Sequence, residues 1–265
     1  ARSVVASAGR LPRIVHALST HRGSAAVASA LARVVGHVAA SESLCGAVVS
    51  SGALPALAAM ARTHGGDAAV MEAVASAAAA VAAGEAHARA VVSSGLLAPV
   101  LACMGRCIAR TAVVHALLAL LLRLTSVASL RRALVSSGAL SVLSLVAHAH
   151  NDDDAIVLQV VMAACNVAES AAHRGELVAA GLLIVAVDAM TSHGGVEAVS
   201  WLSLSVVEQV LRTRELRDSV VAAGTLAALG GLLRAHVTVD ATAGGTMSSQ
   251  LCAMALRAAG AIAAS

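Results

Sequence analysis

Phenylalanine, tyrosine and lysine are absent from these 265 residues, and Trp201 is the only aromatic side chain. A core without aromatic rings must be filled by Ala, Val and Leu, whose small side chains let helices approach closely but bury less surface each. All 18 basic residues are arginine, Asn occurs only at Asn151 and Asn166, and Ile is scarce. The missing types are those with AT-rich codons. A GC-rich coding sequence explains them, so the lack of lysine is not read as a demand for guanidinium chemistry. Charge is also sparse, 12% of residues with a net charge of +3, and the basic excess falls in residues 1–43 and 87–129. That is far short of the dense basic face of a nucleic-acid binder.

Long hydrophobic runs are missing too, although 58% of residues are hydrophobic. The longest, residues 177–187 and 111–122, run about a dozen residues and end at Asp188 and Arg123, where a spanning helix needs about 20. No membrane span is expected. The start ARSVVASAGRLPR has no uninterrupted apolar core after its charge and does not read as a signal peptide. Five cysteines, an odd number placed mostly in apolar helical runs, fit buried thiols in a reducing, intracellular and most simply cytoplasmic setting. An organelle or a cytoskeletal assembly is the alternative.

What the chain does have is a period. Gly9, Gly52, Gly95, Gly138, Gly181 and Gly224 are each 43 residues apart. A period of this length in a helix-forming sequence indicates stacked two- or three-helix repeats. The expected fold is therefore all-α, with units of about 1–43, 44–86, 87–129, 130–172, 173–215 and 216–265 forming a single array over residues 1–265. Before each glycine stands an apolar pair, Val5/Ala6, Val48/Val49, Val91/Val92, Leu134/Val135, Leu177/Val178 and Val220/Val221. A short first helix should end there, with the glycine as its left-handed cap. Two residues on, the column is Leu11, Leu54, Leu97, Leu140, Leu183 and Leu226, and Pro12, Pro55 and Pro99 fall in the first turn of the second helix.

The second helix should stop at His21, His64, Cys107, His150, His193 and His236, where a histidine can satisfy free carbonyls at a helix end. Equivalent residues of neighbouring repeats lie about 8–10 Å apart, too far to share one metal ion, so the ladder is not a metal site. Asp152–Asp154 reads as a helix cap and solvated turn, and the pair Cys103/Cys107 lacks converging ligands. Longer third helices follow over residues 25–39, 68–82, 111–124, 155–168, 198–211 and 250–264. The polar, Gly-rich stretch 236–248 is expected to be a mobile surface loop.

The order of short helix, glycine, Gly-x-Leu-Pro step at 52–55, turn and longer helix resembles the armadillo repeat of the catenin and importin-alpha type, and Ala164-Cys165-Asn166-Val167-Ala168 looks like that family's third-helix ending. The resemblance implies a right-handed α-solenoid whose third helices line a concave groove for extended peptides or partner proteins. The Trp and Asn ladder of nuclear-import members is missing, since only Asn166 is kept.

Positions 20, 24 and 28 past each glycine place one stripe on each third helix: Ser29/Arg33/His37, Glu72/Ser76/Ala80, His115/Ala119/Arg123, Leu158/Met162/Asn166 and Trp201/Ser205/Gln209. The expected partner-binding groove is Arg33, His37, Glu72, Ser76, His115, Arg123, Met162, Asn166, Trp201, Ser205 and Gln209. Trp and Arg are the side chains that dominate interface energy. The expected function is a non-enzymatic scaffold for a mildly acidic extended or helical segment of another protein, with no cofactor, metal, small-molecule substrate or catalytic residue. The alternative is a structural subunit of a large assembly, docked by its ends and edges. The uncapped apolar last helix and the start inside a first helix point to a piece of a longer array or to ends that dock on neighbours.

Overall fold

The computed structural model describes residues 10–21, 23–243 and 246–263, and the side chains of residues 11–21, 23–235 and 249–263. Among these residues every regular element is a helix, in keeping with a sequence dominated by Ala and Leu, the strongest helix formers. The chain divides into two compact units, Ala1–Val142 and Leu143–Ser265.

In the first unit the order is α1 (Arg10–Thr20), α2 (Ala25–Ala39), α3 (Glu42–Ser50), α4 (Ala53–Thr63), α5 (Ala68–Val81), α6 (Glu85–Ser93), α7 (Leu97–Cys107), α8 (Thr111–Thr125) and α9 (Arg131–Ser136); α10 (Ala139–Ala149) crosses the boundary. Helices one repeat apart pack like upon like. The third helices form the row α2, α5, α8, the second helices the row α1, α4, α7, and the first helices pair α3 with α6. The second unit continues with α11 (Asp154–Ala168), α12 (Arg174–Ala179), α13 (Leu182–Ser192), α14 (Glu197–Leu211), α15 (Arg217–Ala222), α16 (Thr225–Ala243) and α17 (Thr246–Ala263). There α11, α14 and α17 form a row, and α13 packs on α16. The first helices are longer in α3 and α6. In α9, α12 and α15 a 3-10 turn supplies the opening residues, at Ala128–Leu130, Ala171–His173 and Arg214–Leu216.

Gly52, Gly95, Gly138, Gly181 and Gly224 all have φ between 74° and 82°. Gly9 and the apolar pair before it lie outside the described residues. A side chain at positive φ strains the backbone. Around Gly138 there is open space where a Cβ would stand. Gly138→Ala should therefore cost about 1 kcal/mol from backbone strain alone. Urea denaturation should show a lower midpoint with an unchanged slope.

Two third helices, α5 and α11, start where an aspartate side chain accepts their first free N–H groups, while α2, α8 and α14 start without a side-chain cap. Asp67 Oδ1 takes Ala69 N at 3.0 Å and Val70 N at 3.1 Å, and Asp153 Oδ1 takes Ala155 N at 2.9 Å and Ile156 N at 3.1 Å. The small residues then allow a close approach. A Cβ added to Gly36 of α2 would lie 3.2 Å from the Ala77 Cα of α5. The core behind this seam is aliphatic, with Leu117, Leu118, Leu120 and Leu121 of α8 fully buried.

The stretch 236–248 is not the loop its composition suggests. Helix α16 runs to Ala243 and α17 begins at Thr246, while residues 244–245 lie outside the described residues. Thr and Asp tolerate a helix that is already nucleated, because each added residue gains a bond; only the two glycines carry a large helix cost. The side chain of His236 also lies outside the described residues. No single described helix is long and apolar enough to cross a membrane, and the consecutive pairs that reach the length are bent by 69° to 116° at their breaks.

Candidate functional site

Each central third helix is buried except along one line. From Val70 to Val81 only Glu72, Ser76 and Ala80 keep solvent access, and from Val113 to Thr125 only His115, Ala119, Leu122 and Arg123 do. The same holds in the second unit. From Ile156 to Ala168 the accessible residues are Leu158, Gln159, Met162, Cys165 and Asn166, and from Val199 to Leu211 they are Trp201, Leu202, Ser205, Glu208 and Gln209. In the first unit α2 and α8 cover the two flanks of α5, and in the second α11 and α17 cover those of α14, with second helices packed behind, which leaves one strip of a 3.6-residue helix free.

In the first unit Arg33, His37, Glu72 and Ser76 come together around a cleft of about 320 Å³ between α2 and α5. The His37 Nδ1 is 2.8 Å from the Arg33 carbonyl one turn back, which fixes the ring along its own helix. His115 is half-buried and Arg123 exposed on α8, the next helix in the row. In the second unit Met162 is exposed, while Asn166, Trp201, Ser205 and Gln209 are half-buried. The Cys165 thiol donates to Ser205 Oγ across 3.4 Å, and Gln209 Oε1 accepts from Arg174 Nη2 and Arg212 Nη1, both at 3.2 Å. Gln209 thus belongs partly to the packing beneath the line. The two units differ in chemistry, the first carrying Arg33 and Arg123 against Glu72, the second being neutral and apolar at Met162 and Trp201.

Two sets of residues escape a reading by composition. Seven places before successive glycines stand Cys45, Ala88, Arg131, Arg174 and Arg217. The Nε of Arg131 donates to Thr125 O at 3.1 Å, that of Arg174 to Ala168 O at 2.8 Å and that of Arg217 to Leu211 O at 3.4 Å; the Cys45 thiol does the same to Ala39 O at 3.0 Å. Except at Ala88, the column closes off a carbonyl at the end of the preceding third helix. Arg174 goes further, donating to Thr213 Oγ1 at 3.1 Å. Burial, and then the neighbouring Arg212, pushes its guanidinium below the usual arginine value. The visible signal was an arginine recurring at one register.

The histidine column also does more than cap. The backbone N–H of His193 closes α13 onto Ala189 O at 2.9 Å. Its imidazole, which is buried, turns to the preceding repeat, with Nδ1 at the Asp154 carboxylate and Nε2 2.7 Å from Asn151 O. The ring is a staple between repeats, so Asp154 serves a cross-repeat contact while Asp153 serves the cap.

Cys45, Cys103 and Cys107 are buried and all five thiols are free. Burial, and then the adjacent Cys107, pushes the Cys103 thiol up to about 12, which keeps it protonated and poorly nucleophilic. Among the described residues no three His, Cys, Asp or Glu side chains group as a metal site needs.

No family model matches this chain, and no curated protein matches it. Solved structures do. A crystal structure of an engineered protein from the Northeast Structural Genomics Consortium is similar with a TM-score of 0.74 at 20% identity, covering 96% of this chain and 99% of that one. A second engineered protein gives 0.75 at 20% identity over 96% of each chain, and a third gives 0.60 at 19% identity over 99% of this chain and 73% of that one. At such identities the likeness carries the fold alone. The protein is an all-helical repeat protein.

Proposed function

We propose that this chain is a protein-binding scaffold of armadillo-type three-helix repeats, wound as a right-handed α-solenoid, that holds a segment of a partner along its third helices and catalyses no reaction. The observation that carries the reading is the accessible line itself. In α5, α8, α11 and α14, buried elsewhere except at Leu122, Gln159, Cys165, Leu202 and Glu208 beside the line and at the helix ends, the side chains offered outward at four-residue spacing include Arg123, Met162 and Trp201, and Arg33 holds the same register on the more open α2. Backbone-spaced anchors of this kind suit an extended or helical segment. The first unit's line favours acidic partner residues and the second unit's favours apolar ones. The pair His193–Asp154 does not argue for catalysis, because its second nitrogen faces a backbone carbonyl and addresses no nucleophile. Free, buried thiols support a reducing compartment.

The test is photo-cross-linking of the native protein followed by binding with variants; amine-reactive reagents find no lysine here. Trp201→Ala combined with Arg123→Glu should weaken partner binding by roughly tenfold or more while helicity is retained. Unchanged binding overturns the reading. A second reading, a structural subunit docked by its flanks, is favoured by one observation. Val27 and Val34 of α2 are 37% and 38% exposed, whereas their equivalents Val70 and Ala77 of α5 are fully buried. Cross-links concentrated on that face of α2 would establish it instead.

A further inference from the structure

The second helices of the second unit hold a cleft that the third-helix reading does not use. It lies between α10 and α13 and encloses about 190 Å³. Its lining contains the buried apolar Val157, Val185 and Ala189 and the exposed polar His148, Asp188 and Ser192. Pockets for small organic ligands usually span about 300–1,000 Å³, so this one is sized for a single side chain.

The wall is rigid where it matters. His193 lines the cleft with both ring nitrogens already engaged, on Asp154 and on the Asn151 carbonyl. His148 Nδ1 is held 2.7 Å from Ser144 O. Asp188, in contrast, makes no ion pair among the described residues, and neither does Asp152 in the adjoining turn. The polar groups left to a ligand are the Asp188 carboxylate, the Ser192 hydroxyl, the Asn151 side-chain amide and the second ring nitrogen of His148, with an apolar surface beneath them. The one carboxylate among them favours a cation on an aliphatic stem over an anion. Beside the cleft stand two of the larger exposed aliphatic side chains of the molecule. Leu145, 48% exposed, is three residues before His148 on α10, and Ile184, 49% exposed, is four before Asp188 on α13, so each shares a face with a rim residue.

We infer that this cleft is a second protein-binding site, which takes an arginine or lysine side chain from a partner polypeptide whose flanking apolar residues rest on Leu145 and Ile184. The methylenes lie on Val157 and Val185, and the charged head meets Asp188. Charge complementarity commits the occupant to a basic segment, the opposite of the acidic one favoured by the first unit's line. The inference does not depend on that line.

The probe is a peptide with carboxyfluorescein on its N-terminal amine, Ala-Leu-Ala-Ala-Arg-Ala-Ala-Leu-Ala-amide, titrated with the full chain by fluorescence anisotropy. A counterpart has citrulline in place of arginine. Saturable binding is expected, weakened roughly tenfold by citrulline and by Asp188→Asn, and more by Asp188→Arg. Asp188 is exposed, so these variants should keep the circular dichroism of the parent. The Trp201→Ala and Arg123→Glu variant should bind the peptide unchanged, which separates this site from the third-helix groove. Absence of saturable binding, or binding indifferent to Asp188→Arg, overturns the proposal. So would N-acetyl-arginine amide binding as tightly as the peptide, which would make the cleft a small-amine site, or a self-association of the chain abolished by Asp188→Arg, which would make the occupant a second copy.

Discussion

Arg174→Ala is expected to destabilise the protein by about 3 kcal/mol, one of the two largest single effects foreseen here. The guanidinium is buried and donates to Ala168 O, Thr213 Oγ1 and Gln209 Oε1, and more weakly to Glu169 O at 3.5 Å. Hydrogen bonds from a charged donor contribute about 1.5–3 kcal/mol each in isolation, but they share one side chain and do not add. Truncation also removes the side-chain donor of the Ala168 carbonyl at a helix end. The fold does accept a small residue at this register, since Ala88 is fully buried there in the first unit. What it does not accept is the loss of a donor around which acceptors have been arranged. Equilibrium urea unfolding should show the loss, with Arg174→Lys recovering part of it through a single donor group. A cost below about 1 kcal/mol would mean that the network contributes nothing beyond an ordinary surface contact.

Gly36→Leu should cost a similar amount, about 3 kcal/mol, for the opposite reason. At this point α2 and α5 approach so closely that even one added carbon would meet Ala77 at 3.2 Å from its Cα and 3.4 Å from its Cβ. That contact is with backbone and cannot be relieved by a rotamer change. A branched side chain must wedge the two third helices apart and open the Arg33, His37, Glu72 and Ser76 cleft. Thermal unfolding and amide exchange in α2 should both report it. Gly36→Ala is the informative control. The gain of about 1 kcal/mol in helix propensity opposes a shift of a few tenths of an ångström, so its effect should be small.

The glycine register and the third-helix bounds were legible because each rests on a local requirement. Positive φ favours glycine, and at two third helices the free N-terminal N–H groups are met by Asp67 and Asp153. The accessible line was legible for the same reason, as four-residue spacing is a property of the helix and not of its neighbours. What was missed is non-local. His193 does cap α13 through its backbone N–H, but nothing nearby in sequence shows that its ring meets Asp154 and Asn151, 39 and 42 residues away. Arg174 gave no local sign of its partners, since Gln209 and Thr213 lie 35 and 39 residues further on. The stretch 236–248 misled by composition, because polarity was weighed more heavily than the low cost of extending a helix. The cleft at Asp188 had no sequence signal, since its two sides come from separate second helices.

The staples between repeats impose a tolerance on the chain. Arg89 reaches Ser129 across 40 residues, Arg106 reaches Gly65 across 41, Arg174 reaches Thr213 across 39, and His193 reaches Asn151 across 42. One residue inserted within a helix would turn everything after it by about 100° and carry these donors past their acceptors. Side-chain identity can drift at such positions, as Cys45, Ala88 and Arg131 demonstrate, but the length between these stapled partners cannot. The constant spacing of the glycines is therefore the trace of a rule against insertions and deletions, and variation among repeats should accumulate as substitutions.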